Sequence, residues 1–373
     1  MQLFKAGESH GTAMVGILVG VPAGIRVDNN DIAALLEARK SAYGRSVRQL
    51  SESDEFLVTG LIDGVTIGNN IGIVIKNGVR TVSSSECAAQ GSGDSSGKFP
   101  PLNHLRPGHA DLPGMVKFGF ENARAVAEGS SARNTCLDVA AGAVALSMLK
   151  ELGVSVTAFV RSVGSIKDDN DYDFCDIKDV ALPFFSGSAA IAEKFKSEVD
   201  SVRDSGDSVG GAVEIRVKGL KPGFGGYCAE SRINGAIARD LMGIQAIKGV
   251  YFGAYPFDGL LGSEYADTLN INGERRVLTS AGGGIDGGMT NGAEIIITVG
   301  VKPIPTIAKG VPSVDVNGDA CISARERSDV TAVFALCPVL KSKIAITLCN
   351  SIMASLGGDN IADIVERYNI LNS

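Results

Sequence analysis

The sequence predicts a single domain of the mixed α/β (α+β) class. Segments with the alternating apolar pattern of strands are interspersed with segments whose apolar residues recur every three or four positions, as in helices. Hydrophobic residues make up 45% of the 373 residues and charged residues 21%, which is enough apolar material for a substantial core. No repeat or linker-like composition interrupts residues 1–373, so one domain is the simplest interpretation, although the length allows two or three.

In the first half of the sequence, Gly, Pro and Asn residues mark the ends of the predicted strands and helices. Residues 12–22 are an apolar run closed by Gly20 and Pro22, which predicts a buried strand. The next elements follow from apolar spacing and turn signals. They are a helix at 32–40 capped by Asn29-Asn30-Asp31, two strands within 56–76 around a Gly-Asn-Asn turn, and helices at about 114–124 and 132–151. Residues 83–98, rich in Ser and Gly, predict a mobile loop.

In the second half of the sequence, alternating apolar and polar residues again predict strands, and the last segments predict helices. The predicted elements are strands at 154–163 and 212–217, an acidic helix at 191–202 between them, a strand within 293–306 that two prolines end, and helices near 339–356 and 360–368.

Composition excludes several classes of function. The net charge of −7 argues against general nucleic-acid binding, so an anionic ligand would need a local cluster of Arg and Lys. The seven cysteines show no CxxC or CxH pair, as expected of a reduced protein. The first residues lack the apolar core of a signal peptide, and no window approaches 18 apolar residues. We therefore expect a cytoplasmic protein with no nucleic-acid or membrane partner.

Two apparent motifs fail on spacing. The glycine-rich segment at 91–98 has Ser92 and Phe99 where a phosphate-binding loop needs Gly and Ser or Thr, and Ser96 where a dinucleotide fingerprint needs its third Gly. The acidic segment at 315–319 lacks the sixth-position Gly and the terminal Glu of a calcium loop. No HxH or HExxH pair occurs, so we predict no metal site.

The three histidines are His10, His104 and His109. His10 lies in Gly-Glu-Ser-His-Gly and His109 in Arg-Pro-Gly-His-Ala-Asp, and either one alone could be an ordinary loop residue. Two of three histidines in such turns, each beside Ser, Arg or Asp, favour general acid–base chemistry.

Arginines in Gly- and Ser-rich turns are the second signal. Arg39, Arg45 and Arg48 fall within ten residues, and a solvated surface is the ordinary interpretation of such a run. Forked guanidinium groups also suit carboxylate and phosphate. Ser130 and Ser131 could cap the following helix or hold an anion. Residues 281–292 and 302–306 could add backbone amides, a lysine and a hydroxyl. Together these features predict a pocket for one or two polyanionic small molecules.

In this order and at these spacings, seven segments resemble the chorismate synthase family. They are GESHG at 7–11, RKSAYGRSVR at 39–48, RPGHAD at 106–111, EGSSARNT at 128–135, GGMTNG at 287–292, KPIPT at 302–306 and RSD at 327–329. The resemblance implies a β-α-β sandwich with helices packed between antiparallel sheets, assembled as a homotetramer. It also implies a phosphate lyase that converts 5-enolpyruvylshikimate 3-phosphate to chorismate by anti-1,4 elimination, with reduced FMN (FMNH2) as cofactor.

The resemblance also implies roles for individual residues. His109 would protonate the departing phosphate, His10 would hold a proton for the reduced flavin, and Asp329 would help to relay a proton from flavin N5. The implied substrate-binding residues are Ser9, Arg39, Arg45, Arg48, Arg106, Arg133, Arg327 and Ser328. The implied FMN-binding residues are Ser130, Ser131, Ala132, Gln245, Ala246, Gly287, Lys302, Pro303, Ile304, Pro305, Thr306 and Arg327.

The chain departs from the family pattern at Val79, Gly129, Asn134 and Lys341, none of which is an implied acid, base or anion-binding arginine. Two alternatives remain open. One is a flavin- or anion-binding protein that has lost turnover. The other is a bifunctional member that oxidises NADPH to reduce its own flavin, with Arg39 and Arg45 linked to NADPH; dependence on an outside reductant is the favoured interpretation.

Overall fold

A computed structural model describes most of the chain. The described residues are 1–46, 50, 54–77, 100–178, 180, 182–254, 256, 259–269, 279–324 and 328–371. The predicted loop at 83–98 lies outside them, as do Arg48, Val79 and Arg327.

Within these ranges the chain alternates between strands and helices. The strands are β1 (Gln2–Ala6), β2 (Ala13–Val19), β3 (Phe56–Thr59), β4 (Leu61–Ile62), β5 (Val65–Thr66), β6 (Ile71–Lys76), β7 (Ser155–Val163), β8 (Ile166–Lys167), β9 (Gly211–Lys218), β10 (Ile247–Phe252), β11 (Ile285–Asp286), β12 (Met289–Thr290), β13 (Ile295–Val301), β14 (Pro312–Val314) and β15 (Ala320–Ile322). The helices are α1 (Asn29–Lys40), α2 (Asp111–Phe118), α3 (Arg124–Gly129), α4 (Thr135–Glu151), α5 (Phe174–Ile177), α6 (Ala189–Asp204), α7 (Ile233–Met242), α8 (Gly262–Tyr265), α9 (Val333–Leu356) and α10 (Ile361–Ile370).

Two antiparallel sheets form the outer layers. The first has the strand order β1-β2-β6-β3 and the second the order β10-β13-β9-β7-β8. In β2, Met14 and Leu18 point inward and are buried, whereas Val15 and Ile17 point outward. The period of two therefore gives the first sheet one core face and one outer face.

Helices α1, α4 and α9 fill the space between the sheets. Helix α4 packs against β2 and β6, helix α9 packs against β7 and β9, and all three helices contact one another. At the crossing of α4 and α9, a Cβ on Gly142 would lie 2.1 Å from the Cβ of Ser342, so only glycine allows this approach. The predicted mixed fold, with helices packed between antiparallel sheets, is confirmed.

Helix α9 is long and apolar enough to cross a membrane by length and composition alone. Of the 18-residue window that meets this criterion, 83% is buried inside the protein, as expected of a core helix that is apolar on all sides. The helix begins at Val333, six residues before the predicted start, and includes Pro338.

Other differences from the sequence predictions are local. The predicted helix at 114–124 is two helices, α2 and α3, because Gly119 ends the first in the left-handed region with a φ of 71°. Asp28, rather than residues 29–31, caps α1 by accepting a hydrogen bond from the Asn30 amide. Strands β1 and β10 and helix α7 were not predicted.

Candidate active site

A cavity of about 420 Å³ opens where α1 ends and α4 and α9 begin. Its volume falls within the range of about 300–1,000 Å³ that is typical of small-molecule sites. Residues of the β1–β2 loop, the 106–110 turn, α3, the Gln245-Ala246 turn and the 302–306 segment complete its walls. The amino-terminal ends of α4 and α9 face this cavity, and such ends favour bound anions.

The cavity brings together most of the residues singled out from the sequence. Those on its lining are Ser9, His10, Arg39, Arg45, Arg106, His109, Ser130, Ser131, Ala132, Arg133, Gln245, Ala246, Lys302, Ile304, Pro305, Thr306, Ser328 and Asp329. Gly287 is instead in the turn between β11 and β12, and Pro303 is not on the lining. Arg48 and Arg327 lie outside the described residues.

One carboxylate oxygen organises the loop that carries His10. Oε2 of Glu128 accepts hydrogen bonds from the Ser9 hydroxyl at 2.5 Å and from the His10 backbone amide at 3.1 Å. The same oxygen lies 2.6 Å from His10 Nδ1. Burial favours a higher pKa for Glu128, but the hydrogen bonds from His10 and Ser9, aided by the charges of His10 and Arg124, lower its pKa to about 2. Glu128 is therefore a carboxylate at neutral pH.

His109 has a different kind of partner. Its Nε2 lies 2.8 Å from the hydroxyl oxygen of Thr306. The turn that carries His109 is held against the 302–306 segment, because Lys302 Nζ donates to the Gly108 carbonyl at 2.7 Å. Burial, together with the charge of Lys248, lowers the pKa of Lys302. The structure thus fixes His109 against a neutral hydroxyl at the cavity wall.

A buried carboxylate joins two of the arginines. The Asp54 side chain contacts Arg39 Nη2 at 3.4 Å through one oxygen and pairs with Arg133 through the other. Arg133 also donates to the Asn77 side chain at 2.8 Å. Burial, and then the charge of neighbouring Arg45, lowers the pKa of Arg39. Asp54 therefore holds two guanidinium groups at the cavity despite their mutual repulsion.

Arg45 and Arg106 are each held by a carboxylate of their own. Arg45 Nη1 lies 2.6 Å from Asp329 Oδ2, and the other Asp329 oxygen accepts from the Ser46 amide at 2.7 Å. Arg106 makes a two-pronged pair with buried Asp111, with distances of 2.9 and 2.7 Å. Paired guanidinium groups of this kind are rigid and pre-oriented for a ligand.

The lining is strongly cationic in an acidic protein. Among its described residues, six are arginine or lysine and two are carboxylates. The Nε atoms of Arg39 and Arg45 are buried and have no hydrogen-bond partner among the described residues. Unsatisfied buried donors are costly, and an anionic ligand would satisfy them. The described part of the chain contains no cluster of His, Cys, Asp and Glu able to hold a metal ion.

Glu128 and Asp54 are site residues to which sequence analysis assigned no role. Glu128 lies within the EGSSARNT segment, but its partner His10 is 118 residues away. Asp54 lies among serines and acidic residues typical of a solvated surface.

A sequence model of the chorismate synthase family matches residues 1–353. This match covers most of the chain and all the segments that form the cavity. The chain belongs to the chorismate synthase family.

Individual members agree with this assignment. The chain is 36% identical over 378 residues to the chorismate synthase of Beutenbergia cavernae, covering 97% of this chain and 95% of the relative. It is 38% identical over 381 residues to that of Corynebacterium glutamicum, covering 96% and 92% respectively. A crystal structure of chorismate synthase superposes with a TM-score of 0.77 at 26% identity, covering 99% of this chain and 96% of the other. The predicted family, its carbon–oxygen lyase class and its fold are confirmed.

Proposed function

We propose that this chain converts 5-enolpyruvylshikimate 3-phosphate to chorismate by eliminating phosphate, in the shikimate pathway of aromatic amino acid biosynthesis. The observation that carries the proposal is the cavity itself, where six cationic side chains and two histidines converge in a protein of net charge −7. A substrate with one phosphate and two carboxylates matches that excess of positive charge.

The arginines would bind and orient the substrate. Arg39 and Arg45 each have a buried Nε without a partner among the described residues, so they can take new hydrogen bonds without losing old ones. Arg106 and Arg133 line the same cavity and are held by Asp111 and Asp54. We assign Ser9, Ser328, Arg48 and Arg327 to the same set from the family resemblance.

His109 would act as the general acid that protonates the departing phosphate. The Thr306 hydroxyl oxygen lies 2.8 Å from Nε2 and orients the ring at the cavity wall. Asp329, which holds Arg45 and the Ser46 amide, would help to relay a proton onward from flavin N5.

The family works with a reduced flavin, and we propose that the flavin here is FMN. The hydroxyl, amide and lysine donors of Ser130, Ser131, Gln245, Lys302 and Thr306 share one cavity, which fits a ligand with a phosphate tail and a polar ring. Ala132, Ala246, Ile304 and Pro305 add the apolar part of the wall, and Gly287, Pro303 and Arg327 are assigned from the resemblance. The chemistry that reduced FMN would supply when bound is a transient electron and a nitrogen that can accept the ring proton. We propose that an outside reductant, rather than NADPH oxidised by this chain, keeps the flavin reduced.

An anaerobic assay tests this function. Purified protein with 5-enolpyruvylshikimate 3-phosphate should form chorismate when photoreduced FMN is supplied and none when oxidised FMN is supplied. Oxidised FMN with NADPH should also give no product if the reductant is external. Chorismate formed equally with oxidised FMN alone would contradict the assigned cofactor chemistry.

We also propose a homotetramer of cytoplasmic subunits. The outer face of the first sheet exposes Phe4, Val15, Ile17 and Leu57, at 53%, 40%, 46% and 60% of their surface. Phe4 pairs with Ile17 across β1 and β2, so these side chains form a continuous apolar surface. Such a surface is typical of subunit contacts.

Ile17→Lys tests the assembly. A charge on this face should be costly to bury, so the sedimentation mass of the variant should fall below the tetramer mass expected of the wild type. Ile62→Lys is the matched control, because Ile62 is 61% exposed but lies in the separate β4–β5 hairpin. A wild-type mass for Ile17→Lys would show that this face is not a subunit contact.

A further inference from the structure

The two cavity histidines have partners of opposite chemical character. His10 Nδ1 lies 2.6 Å from the Glu128 carboxylate, whereas His109 Nε2 lies 2.8 Å from the Thr306 hydroxyl. The two rings are therefore oriented by different groups, a carboxylate at His10 and a hydroxyl at His109.

We propose that Glu128 is a positioning residue for His10. The Glu128 carboxylate fixes the His10 proton on Nδ1, so that Nε2 is the nitrogen that faces the bound ligand. This inference rests on the proposed function, because it concerns how His10 is oriented in the same site. An imidazole held by a carboxylate through one nitrogen is fixed in both tautomer and orientation, so that its other nitrogen meets the reacting groups.

The geometry around Glu128 supports a single fixed arrangement. Its Oε2 also accepts from the Ser9 hydroxyl and the His10 amide, so loop and ring are oriented by the same atom. Its Oε1 faces Arg124 Nη1 at 3.6 Å, one turn earlier on α3. The Glu128 side chain is 11% exposed, so water competes little for these contacts.

The charged groups near His10 in the described structure include residues of two elements. Helix α3 contributes Glu128 and Arg124, and the loop of His10 itself contributes Glu8, whose carboxylate folds back over Gly11. The Glu128 oxygen lies 2.6 Å from His10 Nδ1, and the neutral Ser9 hydroxyl oxygen lies 3.1 Å from the same nitrogen.

Nitrogen NMR of ligand-free protein tests the proposal without any reaction. The chain has three histidines, so ¹⁵N-histidine labelling gives a spectrum in which each ring can be assigned by substitution. In the wild type, the neutral His10 ring should carry its proton on Nδ1. In Glu128→Ala, which leaves the neutral Ser9 hydroxyl beside Nδ1, the population protonated on Nε2 should rise, whereas Glu128→Gln, whose amide oxygen still accepts, should keep the proton on Nδ1. Glu121→Gln, at an exposed position just before α3, is the control.

Turnover adds the functional half of the test. Glu128→Ala should lower kcat about 10–100-fold, the usual effect of losing a partner that orients a reactive group, with little change in KM. Unchanged His109 signals would show that the variants are folded. A His10 tautomer that is the same in Glu128→Ala and the wild type would overturn the proposal, as would a shifted tautomer with unchanged kcat. If the His10 tautomer shifts in Glu128→Ala but the wild-type protein forms no chorismate, the positioning role of Glu128 stands and the proposed function is refuted.

Discussion

His109→Ala is expected to lower kcat by about 10²–10⁴, the range that a positioned general acid contributes. The departing phosphate needs a proton as its bond to carbon breaks, and His109 lies on the cavity wall with its ring oriented by Thr306. The measurement is the steady-state rate of chorismate formation with photoreduced FMN. KM should change much less, because the arginines that bind the substrate remain.

His104→Ala provides the matched control for this experiment. His104 is five residues away but exposed, and its Nδ1 lies 3.1 Å from the Ile322 carbonyl rather than facing the cavity. Its replacement should leave kcat close to the wild-type value. If His109→Ala were as active as His104→Ala, His109 would not be the acid.

Asp54→Ala is expected to have the largest effect on stability, about 3–5 kcal/mol, the usual result of removing one partner from a buried ion pair. Asp54 joins Arg39 and Arg133, and all three side chains are at most 7% exposed. Without the carboxylate, two buried guanidinium groups would repel each other. Urea unfolding would measure the loss in free energy of unfolding, with the midpoint shifted and the slope of free energy against urea concentration unchanged.

Glu55→Ala separates this effect from a general loss of negative charge. Glu55 is the next residue and pairs with Lys76 at 2.7 Å, but both side chains are more than 60% exposed. An exposed pair contributes about 0–1 kcal/mol, so the free energy of unfolding should change little. Equal losses of unfolding free energy for Asp54→Ala and Glu55→Ala would show that Asp54 does not stabilise the fold by pairing with the two buried arginines.

The sequence was informative where the chemistry is local. His10, His109 and the arginines lie in or beside Gly- and Ser-rich turns, and this pattern alone predicts a polyanion pocket. The long apolar helices α4 and α9 were also predictable from composition and spacing. Helix α9 begins earlier than predicted, so that Pro338 lies in its second turn rather than before its start.

Features that depend on distant contacts were not predictable. Strand β1 is short and mostly exposed, and the amine of its Lys5 reaches buried Asp138 in α4 at 2.7 Å, so its pattern does not alternate cleanly. Glu128 and Asp54 acquire their roles only when chain segments far apart in sequence meet at the cavity. Helix periodicity likewise does not show that Gly119 adopts a left-handed conformation and separates α2 from α3.

The most direct test follows phosphate, chorismate and the flavin spectrum together in one anaerobic reaction of enzyme, photoreduced FMN and 5-enolpyruvylshikimate 3-phosphate. We expect one phosphate per chorismate over many turnovers, with the flavin still reduced at the end, because the elimination involves no net oxidation. Flavin oxidised in proportion to product, or phosphate released without chorismate, would contradict it.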